Sequence, residues 1–577
     1  MILTVWAPEA ERVDLVLGEQ RIALERTTGG YWQTDTTAEM SHGYFFSVDG
    51  SAPMPDPRSR WQPEGVHGPS HAVAAASLDV RVEGEKYFQA APLEAAVIYE
   101  LHVGTFTPEG TYAAAQAKLP HLVELGVTHL ELMPLATFPG ARGWGYDGVD
   151  LYAPFPAYGT PSELAAFIRA CHALKLAVLL DVVYNHLGPD GNYLGQYGPY
   201  FTDRCKTGWG AAINYDGRDS DEVRRFVIDN ALMWLRDYGF DGLRLDAVHA
   251  IFSFEAVHVL EEMSSAVQEL SKQLGRPFVL IAESDLNDPR MINPASEGGY
   301  GLDAHWVDDF HHAIHRYFTG ETDGYYADFE GLKDVAAALR DGYVYQGQYS
   351  VHRKRRHGRP PVGARPHQLV VCAQNHDQVG NRAQGERLSM LLKMPQLKAV
   401  AAITILSPFV PLLFQGEEWG AQTPFLYFTD HQDPELGRLV AEGRSKEFRD
   451  FRWQGAVPNP QDIETFTRSK LNWAELAEPR HAELAQWYRK LIRLRRDKVV
   501  VPGEGAVAAD KAAVNFDGSA EWLTFVHNGV LAVFNFSGRA QPVPLPHGEW
   551  ALVLASVSQA PPSAVMPAQS TYIYKGA

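Results

Sequence analysis

The chain has 577 residues, with 51 Lys and Arg against 70 Asp and Glu, a formal net charge of −19, and 45% apolar residues. Such a composition belongs to a globular protein, and the negative balance argues against nucleic acid phosphates and anionic membranes as partners. At about 150 residues per domain the length allows three or four domains, fewer if one is a large barrel.

The N-terminal stretch "MILTVWAPEAERVDLVL" opens in strand-like alternation. It has no charged leader region, no long apolar segment and no cleavage site. No 18-residue apolar run follows, so the expectation is a soluble, cytoplasmic protein. Short runs such as "RVDLVLG", "GYWQTDT" and "GYFFSVDG", separated by turn residues, predict a small antiparallel β-sandwich over residues 1–90.

From residue 91 the rhythm changes. Eight apolar runs alternate with helical patterns: "AAVIYEL" (95–101), "VTHLELMP" (127–134), "LAVLLDVV" (176–183), "FDGLRLDAV" (240–248), "PFVLIAES" (277–284), "AHWVDDF" (304–310), "QLVVCAQNHD" (368–377) and "FVPLLFQGEE" (409–418). Apolar strands alternating with helices imply parallel strands covered on both faces. Eight of them predict an α/β fold with a (β/α)8 TIM barrel over 91–497, carrying insertions. An open doubly wound sheet is disfavoured, because no glycine-rich phosphate fingerprint follows the first run. After the helical pattern at 481–497, short strands return and predict a C-terminal antiparallel β-sandwich over 498–577.

Two smaller features have plain readings. Cys171, Cys205 and Cys372 lack metal-ligand spacing and form no even set. The basic run at 352–359, "HRKRRHGR", reads as a solvated loop rather than a nucleic-acid patch.

In a barrel of this kind the chemistry sits at the carboxyl ends of the strands, and the polar residues of the apolar runs fall there. Run three ends in Asp181, Asn185 and His186, run four in Arg244 and Asp246, run five in Glu283, and run seven in Asn375, His376 and Asp377. One such Asp alone would more often cap a helix. Several carboxylates and two histidines on one rim form a candidate site. His186 and His376 share no HxH or HxxxH element, and "HHAIH" (311–315) lacks the acid of HExxH, which disfavours a catalytic metal. No G-x-S-x-G elbow is present.

Glycosidic cleavage fits the set better. It needs a proton donor at the leaving oxygen and an anion at the anomeric carbon. Arg244 and Asp246, two residues apart on a strand, share a face, and the guanidinium favours the ionised carboxylate. Burial and nearby negative charge would keep Glu283 protonated.

The segments "DVVYNH", "GLRLDAVH", "ESD" and "NHD", in this order on runs three, four, five and seven, resemble the short motifs of the α-amylase family of glycoside hydrolases. The resemblance implies that Asp246 is the nucleophile, Glu283 the general acid/base and Asp377 the transition-state stabiliser. It further implies that Tyr146, His186, Arg244 and His376 hold the sugar at the cleavage subsite. The segments "YELHVGTFTPEGTY", "FPGARGWGYDGVDLYAP", "NHLGPDGNYLGQYGPYF", "WVDDFHHAIH", "NHDQVGNR" and "TPFLYFTDHQDPELGRLVAEGR" resemble a narrower group within that family. Its reaction is hydrolysis of the α-1,4 bond next to the terminal trehalose of maltooligosyltrehalose, without a cofactor or metal. Glucan branching is the alternative reaction, and a non-catalytic glucan-binding role the remote one. The same resemblance implies substrate contacts from Leu245, Ala247, Val248 and His249, from Asp308, Asp309, Phe310, His311 and His312, and from Asn375, Gln378, Val379 and Gly380. Trp209, Tyr325 and Phe425 are expected to frame the trehalose end.

Overall fold

A computed structural model describes residues 2–36, 42–73, 78, 87–450, 457–499, 511–557 and 565–576. The stretches 79–86 and 500–510, beside the two expected domain boundaries, lie outside these residues.

Eight parallel strands close into a barrel in simple chain order. They are Ile98–Leu101, His129–Leu132, Ala177–Val182, Gly242–Leu245, Val279–Ala282, Ala304–Trp306, Leu369–Cys372 and Val410–Phe414. Each falls inside one of the eight apolar runs, so the barrel reading holds and the open sheet is excluded. Two three-stranded antiparallel sheets precede it, and a five-stranded antiparallel sheet built from Ala513–Asp517, Trp522–His527, Val530–Asn535, Ser570–Gly576 and Trp550–Ala555 follows. Among the described residues no helix is long and apolar enough to cross a membrane, and the three cysteines are free thiols.

The helices start where local chemistry dictates. Thr160 accepts the N–H of Glu163 and Glu163 returns a bond to the Thr160 N–H, a reciprocal cap ahead of Pro161–Ala173. The pattern at 112–126 breaks into Tyr112–Gln116 and Leu119–Leu125, because Pro120 cannot sit inside a continuous helix.

The barrel interior is layered by the period of two along each strand. Ile98, Leu179, Ile281, Ala304, Val370 and Val410 form an apolar plug. Two residues further along their strands stand Glu100, Asp181 and Glu283. The same alternation that packs the floor therefore delivers charge to the layer above it.

At the opposite end of the fourth strand sits a different ionic cluster. Asp241 accepts from Arg276 Nη2 at 2.7 Å and from the Val178 N–H at 2.8 Å, with His172 Nε2 at 2.9 Å. Burial opposes its ionisation, yet His172 and Arg276 hold it below the usual carboxylate range. A depressed folded-state pKa means stabilisation that is complete above the unfolded value of about 3.9 and lost as pH falls through the folded one. Arg276→Met takes the guanidinium partner from this buried carboxylate and should cost about 3–5 kcal/mol in urea unfolding. Asp241→Asn should flatten the acid side of the stability profile. Unchanged unfolding of Arg276→Met would show that the cluster carries no stability.

Candidate active site

Arg244, at the carboxyl end of the fourth strand, is 0% exposed. Its Nη1 donates to both oxygens of Asp181, at 2.9 and 2.8 Å, and to Asp246 Oδ1 at 2.8 Å. Its Nη2 lies 3.7 Å from Glu283 Oε2. Below it the Trp306 ring stands 4.3 Å from the guanidinium carbon, a cation–π contact in a desolvated place. Removing this charge from water costs several kcal/mol, roughly, unless partners compensate; the Asp181 and Asp246 carboxylates do so. One buried guanidinium thus ties together the third, fourth and fifth strands.

Asp246 takes a second donor, Asn185 Nδ2, at 2.7 Å. Both Asp246 oxygens therefore accept hydrogen bonds, one from Arg244 and one from Asn185. Glu283 differs. Burial, reinforced by Asp246, Asp308 and Asp377 against the pull of Arg244, raises its pKa well above the usual carboxylate range. Its Oε2 accepts the Ala247 N–H at 2.6 Å. Ala247 sits at φ 40°, ψ 50°, a left-handed conformation uncommon for a residue with a Cβ. The chain bends there as it leaves the strand, and the bend turns an amide onto Glu283. Asp377, in the first turn of the short helix His376–Gly380, keeps its side chain 42% exposed, with Asn381 Nδ2 at 3.2 Å.

The aromatic residues enclose one wall. The Tyr146 ring stacks on His376 at 5.2 Å, and its hydroxyl donates to Asp181 Oδ2 at 2.6 Å. His186 contacts the Tyr146 carbonyl at 3.1 Å and stacks beneath Trp209 at 5.1 Å. Trp209 sits in the turn between Phe201–Thr207 and Gly210–Ile213 and is 54% exposed. Gly380 lies so close to Trp144 that a Cβ there would meet the indole at 2.1 Å, so glycine is required for this helix to close the wall.

The structure brings Asp246, Glu283, Asp377, Arg244, Tyr146, His186 and His376 into one linked group. The remaining expected residues divide. Leu245, Phe310 and Val379 are buried in the packed core, so their side chains position the segments and do not line the cleft. Asp309 Oδ2 accepts from Asn287 Nδ2 and from the Val344 and Tyr345 N–H groups at 2.7 to 2.8 Å, clamping a loop. His311 Nδ1 meets the Ala373 carbonyl, and His312 stacks on Tyr325 at 4.5 Å. Asn375 caps the helix through the Gln378 N–H at 2.9 Å. Ala247 and Val248 are buried at the bend, while His249 and Asp308 are half-buried. Phe425 is a correction: it is 0% exposed and stacked on Trp144, so it frames nothing. The basic run is a correction too: Arg355–Gly358 is a strand paired antiparallel with Gln346–Ser350, not a loop. Lys354, Arg355 and Arg356 are exposed, but Arg353 turns inward to Asp285 at 2.7 Å.

Sequence reasoning passed over Glu100 and Trp306, which touch His376 and Arg244. Their signal was the period of two on the first and sixth runs. Among the described residues no group of three or more His, Cys, Asp or Glu side chains is placed to hold a metal ion.

The alpha-amylase catalytic domain family matches residues 85–199. A malto-oligosyltrehalose trehalohydrolase of Rhizobium sp. (strain M-11) is 48% identical over 564 residues, covering 96% of this chain and 93% of that one. One from Arthrobacter ramosus is 50% identical over 517 residues, covering 88% and 89%. A solved structure from Salmonella typhimurium, 38% identical, superposes with a TM-score of 0.91 over 100% of this chain and 97% of its own. The chain therefore belongs to the malto-oligosyltrehalose trehalohydrolase family, within the wider alpha-amylase family.

Proposed function

We propose that the protein is a retaining glycoside hydrolase that cleaves the α-1,4 bond joining a maltooligosaccharide to its terminal trehalose, acting in the cytoplasm. Asp246 attacks the anomeric carbon while the C–O bond to trehalose breaks and Glu283 gives its proton to the departing oxygen. Water then attacks the glycosyl-enzyme as Glu283 takes its proton, and Asp246 leaves. Two inversions retain the α configuration. Asp377, the most open of the three carboxylates, holds sugar hydroxyls as the ring flattens. The observation that carries this reading is the shared guanidinium. Arg244 touches Asp246 at 2.8 Å and Glu283 at 3.7 Å, and burial pushes Glu283 toward its protonated form. Double displacement requires their carboxyl groups to stand about 5–5.5 Å apart.

Product analysis tests the reaction. Maltooligosyltrehalose should yield free trehalose and a shortened maltooligosaccharide, and plain maltooligosaccharide of equal length should be cut far more slowly. Appearance of α-1,6 linkages in place of trehalose would assign the chain to glucan branching instead.

A further inference from the structure

Beneath the wall of the cleft, Glu100 of the first strand is buried and grips one residue twice. Its Oε2 accepts the His376 backbone N–H at 2.9 Å, and its Oε1 pairs with His376 Nδ1. The other ring nitrogen, Nε2, faces the Tyr146 hydroxyl at 2.7 Å and Asp377 Oδ2 at 3.4 Å. Tyr146 has one proton to give, and the Asp181 carboxylate, already held by Arg244, receives it at 2.6 Å. The hydroxyl oxygen is thus an acceptor toward His376, so Nε2 carries a proton. Nδ1, facing a carboxylate, carries the other.

We infer that Glu100 is a positioning residue: it keeps His376 as an imidazolium and through it fixes the Tyr146 hydroxyl and the Asp377 carboxylate. Among the charged neighbours Asp377 and Glu100 favour the charge on His376 and Arg244 opposes it. Asp377 flanks the ring on its own helix, Asp181 acts through Tyr146, Arg244 lies beyond Asp181, and Glu131 of the second strand is the register neighbour of Glu100. His102 stays neutral, because burial pulls it down to about 3. Burial alone would discharge His376 as well, but Asp377 and Glu100 outweigh it and raise it to about 9. Glu100→Gln keeps the shape and removes the anion, so the imidazolium should lose its proton at lower pH.

The test uses the full chain labelled with [13C-ε1]histidine, the His376 signal being assigned by its loss in His376→Asn. In the unaltered protein His376 should stay doubly protonated at pH 7. In Glu100→Gln its pKa should drop by about two units, and in Glu100→Asp by less. Trehalose release by Glu100→Gln at pH 8 should fall about a hundredfold in kcat, with KM changed less than kcat. Its deficit relative to the unaltered enzyme should shrink as pH falls toward 6. The inference deepens the glycosidase reading, and only its kinetic arm depends on that reading; the spectroscopic arm needs no substrate. A neutral His376 at pH 7 in the unaltered protein would overturn it, even if Glu100→Gln failed to fold. So would a His376 pKa unmoved in Glu100→Gln, or a pH-independent loss of activity.

Discussion

Asp246→Asn should lower kcat for trehalose release by about ten-thousand-fold, because the proposed glycosyl-enzyme bond forms on this carboxylate. The geometry makes this a clean substitution. Asp246 receives Arg244 Nη1 on one oxygen and Asn185 Nδ2 on the other. The amide can satisfy only one of these donors with its oxygen, a loss of about 1 kcal/mol in fold stability. Arg244 still has both oxygens of Asp181, so the guanidinium does not become a stranded charge. Calorimetric titration with maltooligosyltrehalose should give affinity within about threefold of the parent, since the lost interaction is made only in the transition state. Turnover within about tenfold of the parent would mean that another carboxylate is the nucleophile.

The second large effect is expected at Glu283. Glu283→Ala should reduce hydrolysis of maltooligosyltrehalose by about a thousandfold or more, because trehalose is a poor leaving group without a proton donor. With an α-maltosyl fluoride the first step needs no proton, and glycosyl-enzyme should accumulate. Azide should then attack it without a general base and give the α-maltosyl azide, retention being the signature of two inversions. A β-azide, or no azide product, would remove the double-displacement scheme. The pH profile provides a second readout. Glu283 is active while protonated, and its pKa is raised by burial and by Asp246, Asp308 and Asp377. Activity should therefore persist above the ordinary carboxylate range and fall as pH rises through this raised value. Asp308, pushed up to about 7 by burial and by Asp285 and Asp377, titrates nearby. Asp308→Asn should consequently move the alkaline limb to lower pH, because it removes a negative neighbour that helps Glu283 hold its proton.

The two ionic clusters on the fourth strand differ in kind. Asp241, Arg276 and His172 at its amino end are paired with one another and closed to solvent, which fits a stabilising role at the base of such a barrel. Arg244, Asp246 and Glu283 at its carboxyl end leave the side chains of Asp246 and Glu283 12% and 15% exposed. That small opening is what lets a sugar reach them.

The eight barrel strands were legible from the chain alone because burial on both faces writes continuous apolar runs. The pairing of Arg244 with Asp246 was legible for the same reason, since side chains two apart on a strand cannot avoid sharing a face. The four short motifs singled out the candidate carboxylates, because each lies at the end of one run and needs no knowledge of its neighbours. What the chain could not reveal were contacts between residues far apart along it. Glu100 and His376 are 276 positions apart, and Tyr146 and Asp181 are 35 apart. Nor could it separate Asp309, spent on the amides of Val344 and Tyr345, from Asp308 beside it, or Phe425 in the core from Trp209 in the open. Periodicity reports which face a side chain occupies, whereas its partner, and hence its proton, is decided only when barrel closure brings distant strand ends within hydrogen-bonding distance.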